Sequence, residues 1–103
     1  GMVQRGLLGV RIMPLNAELA EEKGIKNLNG VYLEDVAKNS AAAEANLEKG
    51  DIIVEINNTK INSPSELQEQ VARFRPGNKI AIKYIRDGEL KATEVVLKNK
   101  NGN

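Results

Sequence analysis

The sequence predicts an α+β, mainly β domain: a partly open barrel or sandwich of five to six short strands with two to three short helices. Three observations carry this prediction. Short alternating apolar segments recur along all 103 residues, small capped helices separate them, and an Asp-Gly pair joins the last two strands. A doubly wound sheet is excluded because it needs long helices in strict alternation with buried strands. At this length we expect one domain with one core.

The first strand and helix lie before residue 25. The apolar run from Gly9 to Met13 predicts a strand that is broken by Pro14. A helix is expected to follow, because Asn16 suits an N-cap and Gly24 suits the position after the last helical turn.

The second strand and helix follow directly. Asn29 to Val36 alternates apolar and polar residues, as a half-buried strand does, and a turn is expected at Lys38-Asn39. Ser40 is the expected N-cap of a short helix over 41–45. Asn46 tolerates the left-handed conformation that ends such a helix, which would return Leu47 to the core.

The strongest helix signal comes after a third strand, DIIVEI, and an Asn57-Asn58 turn. Ser63 as N-cap, Pro64 at the first helical position and Glu66 at the third form a capping box. Leu67, Val71 and Phe74 then recur at helical spacing, so the helix buries one narrow face.

The chain ends in a predicted hairpin, KIAIKYIR and ELKATEVVLK joined by Asp87-Gly88. We expect a single domain over residues 4–98. Residues 1–3 look like an expression scar or linker, and the polar residues 99–103 are expected to be disordered.

Composition excludes several classes of partner and site. The formal net charge is +1 and there are three aromatic residues, so neither duplex nor single-stranded nucleic acid is an expected ligand. The absence of cysteine excludes disulfides, thiol nucleophiles and zinc knuckles, and no apolar run reaches the length of a membrane span. The acidic pairs Glu21-Glu22 and Glu34-Asp35 are read as solvated surface, and no metal or cofactor is expected.

Catalysis by this chain is not expected either. The sequence has no histidine, so neither Ser-His-Asp nor Cys-His chemistry has its general base. A serine–lysine pair would need Ser40, Ser63 or Ser65, and each of these lies where a helix start or turn is predicted.

The stretch RGLLGVRI, residues 5–12, carries the binding hypothesis. Glycine weakens a strand and marks a turn or a close backbone approach, so Gly6 and Gly9 are interpreted as making room for a ligand. The N–H groups of Leu8, Gly9 and Val10 can converge on a carboxylate. A ligand strand would then pair with the open edge from Val10 to Met13.

These segments together resemble a known family. RGLLGVRI, the block SAAAEANLEKGD and the capped helix INSPSELQEQVARF resemble a PDZ domain of the circularly permuted bacterial type, and in particular the PDZ domain of HtrA/Deg serine proteases. The resemblance covers about residues 4–97. It implies a PDZ-like fold and a module that recognises C-termini or extended apolar segments of unfolded proteins by β-strand addition.

The resemblance also implies site residues. The carboxylate-binding loop would comprise Arg5, Leu7, Leu8, Gly9 and Val10. The strand that pairs with the peptide would comprise Val10, Arg11, Ile12 and Met13. The apolar pocket and its groove helix would comprise Leu8, Val10, Ile12, Leu67, Gln70, Val71 and Phe74. We further expect Leu67 to favour an apolar ligand residue at the third position from the end. Ala41, Asn46 and Asn58 depart from the family's usual proline and glycines, away from the groove.

By the same resemblance the parent would be a periplasmic or cell-envelope serine endoprotease in protein quality control, a trimer or larger, with this module monomeric when isolated. Its partners would be peptides, unfolded segments and the protease domain of the same chain. Two alternatives stay open. The groove could hold another domain of the parent as an assembly module, or the domain could belong to a different processing protease or secretion component.

Overall fold

A computed structural model describes residues 6–26 and 29–103, which contain six strands and three helices. In chain order these are β1 (Val10–Pro14), α1 (Ala17–Glu22), β2 (Val31–Val36), α2 (Ala41–Glu44), β3 (Ile52–Ile56), β4 (Thr59–Lys60), α3 (Pro64–Ala72), β5 (Lys79–Arg86) and β6 (Glu89–Val96). The predicted fold class is confirmed. The two-residue β4 is a strand in addition to the five that are predicted one by one from the sequence.

All the strands pair antiparallel in one sheet of order β1-β2-β3-β5-β6, with β4 attached to β3. The strands β1 and β6 therefore form its two edges. Leu7, just before β1, pairs with Lys98, just after β6, which brings the ends of the sheet together. The result is the partly open barrel expected from the sequence.

The predicted N-caps are confirmed. The side-chain oxygens of Asn16, Ser40 and Ser63 accept from backbone N–H groups three residues later, at 2.8, 3.1 and 3.3 Å. Each cap thereby satisfies one of the donors that the first turn of a helix leaves unpaired.

Asparagine supplies most of the left-handed backbone outside glycine. Asn46 ends α2 with φ 67°, and the Asn57-Asn58 turn has φ values of 48° and 65°. Asparagine tolerates this region better than other side chains, so the departures at Asn46 and Asn58 keep the backbone that glycine would give. Asn57 also fixes its turn to β5, because its side-chain oxygen accepts from the Ala81 N–H at 2.8 Å.

The boundaries of three elements differ from the predictions. Strand β2 begins at Val31 rather than Asn29, and α3 ends at Ala72, two residues before Phe74. Pro14 does not break β1 but closes it. An edge strand tolerates proline where the missing N–H would face away from the sheet.

The core has two parts, one on each face of the sheet. The larger is enclosed by α2 and α3 and includes Leu33, Ile53, Ile82 and Val95, all fully buried. The smaller lies on the other face beneath α1, where Leu15, Ala20 and Ile52 are buried together. The face that carries α3 is the one on which a ligand groove is expected.

A buried ion pair anchors the loop after α2 to β5. Asp51 is 1% exposed, and its two oxygens accept from Arg86 Nε and Nη2 at 2.8 and 2.7 Å. One of these oxygens also accepts from the Glu48 N–H at 2.8 Å, and Arg86 reaches the Asn46 carbonyl at 2.8 Å. The hydrogen bond to Asp51 raises the pKa of Arg86 above its ordinary value. Every charge in this anchor has a hydrogen-bonded partner.

Candidate functional site

A groove of about 480 Å³ runs between β1 and α3. Its lining comes from the loop before β1, from β1 itself and from one side of α3: Leu7, Leu8, Gly9, Val10, Ile12, Leu67, Gln68, Val71 and Ala72. The structure thus brings together the predicted loop, the predicted strand and part of the predicted helix face. Most of these side chains are apolar, so the groove suits an extended apolar segment.

The loop before β1 is held by backbone contacts on both sides. Gly6 N donates to the Phe74 carbonyl at 2.9 Å, and Leu7 exchanges hydrogen bonds with Lys98 at 2.8 and 3.2 Å. A Cβ on Gly6 would lie 2.6 Å from the Leu97 side chain. Gly6 is therefore required by packing within the domain, which corrects its interpretation as room for a ligand.

Gly9 is required for two reasons. Its φ is +84°, a left-handed value that favours glycine, and a Cβ here would overlap the Cβ of Ser40 at the start of α2. This contact is also internal, so Gly9 shapes the loop rather than clearing space for the ligand directly.

The curled loop leaves two donors without partners. Within residues 6–26 and 29–103, neither the Leu8 N–H nor the Gly9 N–H donates a hydrogen bond. Their carbonyls are engaged, since Leu8 O accepts from Ala42 N and Gly9 O from Ala37 N, each at 2.9 Å. Both residues line the groove, so two adjacent unpaired N–H groups belong to its lining, and such pairs bind anions.

The edge of β1 offers further main-chain groups. Gly9 O bonds toward β2, and Leu33, which lies opposite Ile12, directs its own N–H and C=O to Asp51 and Gly50 on the other side. Alternation along an antiparallel pair then points the main-chain groups of Val10 and Ile12 away from β2. Among the four predicted pairing residues, Val10 and Ile12 face the groove, whereas the main chains of Arg11 and Met13 face β2.

The helix presents a different flank from the one predicted. Leu67 and Val71 are buried and line the groove, together with Gln68 and Ala72. Since successive helical residues turn by about 100°, Gln70 projects from the opposite flank, and Phe74 lies beyond the end of α3. Neither is among the lining residues; Phe74 instead packs against the main core. A stripe at i, i+4 and i+7 marks the buried face but not the neighbouring residues that border a groove.

Two further predictions concern residues outside this lining. Arg5, expected beside the carboxylate, lies outside the described residues. Residues 100–103 are exposed and Asn99 is partly buried, and they form a turn in which Asn99 Oδ1 accepts from the N–H of Asn101 and of Asn103, at 2.8 and 3.1 Å.

The described residues contain no group of three or more His, Cys, Asp or Glu side chains placed to hold a metal ion. Glu21 and Glu22 are exposed on α1, and Glu34 lies 4.0 Å from Arg11. None of the helices in the described ranges has the length and apolar character of a membrane span.

Comparison with known families and proteins shows which family this chain belongs to. A family model described as "PDZ domain" matches residues 6–97. The chain belongs to the PDZ domain family. Among curated proteins, this PDZ domain is 39% identical over 89 residues to a probable periplasmic serine protease do/HhoA-like of Haemophilus influenzae. That match covers 86% of this chain and 19% of the relative, so the chain spans about a fifth of the protein it resembles.

Solved structures agree with this assignment. The HtrA-type protease AlgW S227A with decapeptide matches with a TM-score of 0.87 and 34% identity, covering 97% of this PDZ domain and 30% of that chain. The HtrA3 PDZ domain bound to the phage-derived ligand FGRWV matches with a TM-score of 0.81 and 25% identity, covering 96% and 90%. The relatives and the structural neighbours thus point to the same group of proteases.

Proposed function

We propose that this PDZ domain binds the free C-terminus of an extended polypeptide in the groove between β1 and α3. The observation that carries the proposal is the pair of unpaired N–H groups on Leu8 and Gly9 in the lining of an apolar groove. A terminal carboxylate would accept from these donors and from Val10. Charge-assisted bonds of this kind are worth about 1.5–3 kcal/mol each.

The ligand backbone would extend the sheet. Val10 and Ile12 direct main-chain groups into the groove, so a strand antiparallel to β1 would exchange hydrogen bonds with both. Its last side chain would lie among Leu8, Leu67 and Val71. Arg5 stays a predicted contact of the carboxylate.

The third ligand residue from the end would lie nearest Leu67, and we expect an apolar residue there. A library of C-terminal peptides checks this preference. Selection of mainly serine or threonine at that position would contradict it.

We also infer that the module serves a larger HtrA-type serine endoprotease of the periplasm or cell envelope, where it presents unfolded proteins for quality control. The names of the relatives and neighbours support this inference. Hydrolysis would belong to the rest of the parent, because the 103 residues contain neither histidine nor cysteine. The purified domain should therefore leave casein intact.

Calorimetric titration tests the binding mode. The peptide FGRWV, the ligand of the HtrA3 PDZ domain, is compared as the free acid and as the C-terminal amide. We expect the amide to bind at least about tenfold more weakly, since about 1.4 kcal/mol corresponds to a factor of ten. Equal affinity would refute carboxylate capture, and failure of both peptides would favour a groove reserved for another domain of the parent.

A further inference from the structure

The two edge strands of the sheet have different surroundings. The outer side of β1 faces α3 across the peptide groove, whereas no strand pairs with the outer side of β6 in the described residues. Of the eight residues in β6, only Val95 is buried. A long exposed edge of this kind is a template for another strand.

This edge also carries apolar side chains that the groove does not explain. The exposed large apolar residues of the described chain are Leu7, at 45%, Leu90, at 65%, and Val96, at 51%. Leu7 lines the groove, whereas Leu90 and Val96 both lie on β6. Their six-residue spacing places them on the same face of the strand.

Hydrogen bonding defines which residues of β6 face outward. The two-residue turn makes Arg86 and Glu89 the closing pair, and Leu97 bonds to the segment that leads into β5. Lys98 bonds outward to Leu7 instead. Odd-numbered positions therefore point their main-chain groups toward β5, and the outward positions are Leu90, Ala92, Glu94 and Val96.

We propose that β6 pairs antiparallel with β6 of a second copy of this chain, about a two-fold axis at Thr93. In this register Leu90 lies opposite the partner's Val96, and Ala92 lies opposite the partner's Glu94. All four positions have outward main-chain groups, so each forms a hydrogen-bonded pair. Both exposed apolar side chains of β6 are buried by the same symmetric contact.

The apolar contact continues a row that already crosses the sheet. Leu90 is paired with Ile85, Ile85 with Ile52, and Ile52 with Tyr32. The helix α1 covers Ile52, which is 1% exposed, but Leu90 at the end of the row is open. The partner's Val96 would cover Leu90 and extend the row by one strand.

Charge complementarity favours the same register. Lys83 is paired with Ala92, so it lies two strands from the partner's Glu94 with only a methyl group between them. The Lys83 side chain is 44% exposed with its ammonium 3.3 Å from Glu55, and its long stem can also reach across Ala92. An axis at Ala92 would instead place Leu90 opposite the partner's Glu94, an apolar residue against a charge.

Sedimentation velocity over a concentration series tests the proposal with Leu90→Asn and its matched control Leu90→Ile. We expect the unmodified domain and Leu90→Ile to form a dimer in the millimolar range, and Leu90→Asn to raise the dissociation constant about tenfold, as loss of a buried apolar contact does. Because Leu90 lies outside the groove, Leu90→Asn should bind FGRWV like the unmodified domain. Failure of peptide binding would therefore not be confused with failure of this proposal.

Hydrogen exchange and NMR provide the readout of register. The amides of Ala92 and Glu94 should exchange more slowly as concentration rises, and mixed-labelled samples should give a contact between the Leu90 and Val96 methyl groups of different copies. A monomer throughout the millimolar range would overturn the proposal, as would a dimer that Leu90→Asn leaves intact. Pairing of β6 with added FGRWV instead of a second copy would overturn it as well. The proposal departs from the expectation, drawn from the resemblance, that the isolated module is a monomer.

Discussion

The Asp51 anchor and the Leu8–Gly9 loop differ in whether their polar groups have hydrogen-bond partners. Asp51 is almost fully buried, yet its carboxylate accepts three hydrogen bonds, two from Arg86 and one from the Glu48 N–H. The loop, by contrast, has two adjacent N–H groups without partners in the described structure. Saturated polar groups hold an element in place, whereas unpaired donors beside an apolar groove are free to hold a ligand.

The two regions are connected through α2 and the loop that follows it. The anchor joins the loop after α2 to β5, and α2 in turn contacts the binding loop through Ala42 and Ser40. The loop can stay curled without a ligand because its carbonyls, rather than its N–H groups, are engaged. Variants that affect one region and spare the other can therefore test this division.

Removing the anchor should have the largest effect. Asp51→Ala removes the acceptor of three hydrogen bonds, two of them from Arg86. The Arg86 side chain is 24% exposed and keeps Glu48 at 2.9 Å, so we expect the lost bonds to cost at least about 2 kcal/mol, within the range for hydrogen bonds to charged groups. Urea unfolding measures the loss. Glu48→Gln is the control, because the Glu48 side chain is 67% exposed and surface pairs are worth about 0–1 kcal/mol. A loss for Asp51→Ala no larger than that of the control would contradict the role of the anchor.

Gly9→Ala should come next. A left-handed φ costs a residue with a Cβ about 1–2 kcal/mol, and the overlap with Ser40 adds to this. Gly24→Ala is matched, since Gly24 has φ +71° and a Cβ there would meet nothing within 4 Å. We expect Gly9→Ala to be the more destabilising by urea unfolding and to lose peptide affinity, while Gly24→Ala keeps it. Partial rescue of Gly9→Ala by Ser40→Gly would confirm the contact, and equal effects of the two alanines would refute it.

A smaller effect on binding is expected from the helix. Gln68 lines the groove and Gln70 does not, so Gln68→Glu should weaken FGRWV binding by repulsion of the ligand carboxylate. A charge repulsion on the order of 1 kcal/mol corresponds to about fivefold in affinity. Gln70→Glu adds the same charge on the other flank of α3 and should change affinity little. If calorimetry showed the larger loss of affinity for Gln70→Glu, the ligand would lie on the Gln70 flank of α3, which would contradict this prediction.

The smallest expected effect is that of pH. With no histidine in the chain, no side chain of ordinary pKa changes charge between about pH 5.5 and 7. The pKa of Arg86 is raised on folding, so the contribution that arises from the protonation of Arg86 is fully present below the ordinary arginine range and is lost only as the pH rises through the raised pKa. Stability and peptide affinity should both be flat over this interval. A change of tenfold in affinity across it would reveal a titrating group that this account lacks.

Local signals in the sequence predicted most of the fold. Asn16, Ser40 and Ser63 are N-caps because each pairs a short side-chain acceptor with a following helical pattern. Asp87-Gly88 forms the predicted hairpin because both residues adopt positive φ, at 52° and 79°. These features depend on a few neighbouring residues, so the sequence alone is sufficient to predict them.

Features that depend on distant contacts could not be predicted in the same way. The overlap that fixes Gly9 involves Ser40, and the pairing of Asp51 with Arg86 joins residues 35 positions apart. Gln68 lines the groove in place of the predicted Gln70 because of how α3 is rotated against β1, and helical spacing does not specify that rotation. Residue patterns found the binding loop and the helix, and tertiary packing decided which flank of the helix borders the groove.

Amide NMR of the labelled domain during titration with FGRWV tests the central claim most directly. The account predicts that the free acid shifts the Leu8 and Gly9 N–H resonances strongly and that the amide shifts them far less. The Arg86 Nε–H resonance of the anchor should not shift with either peptide. Equal shifts with both peptides, or shifts at the anchor without shifts at Leu8 and Gly9, would contradict it.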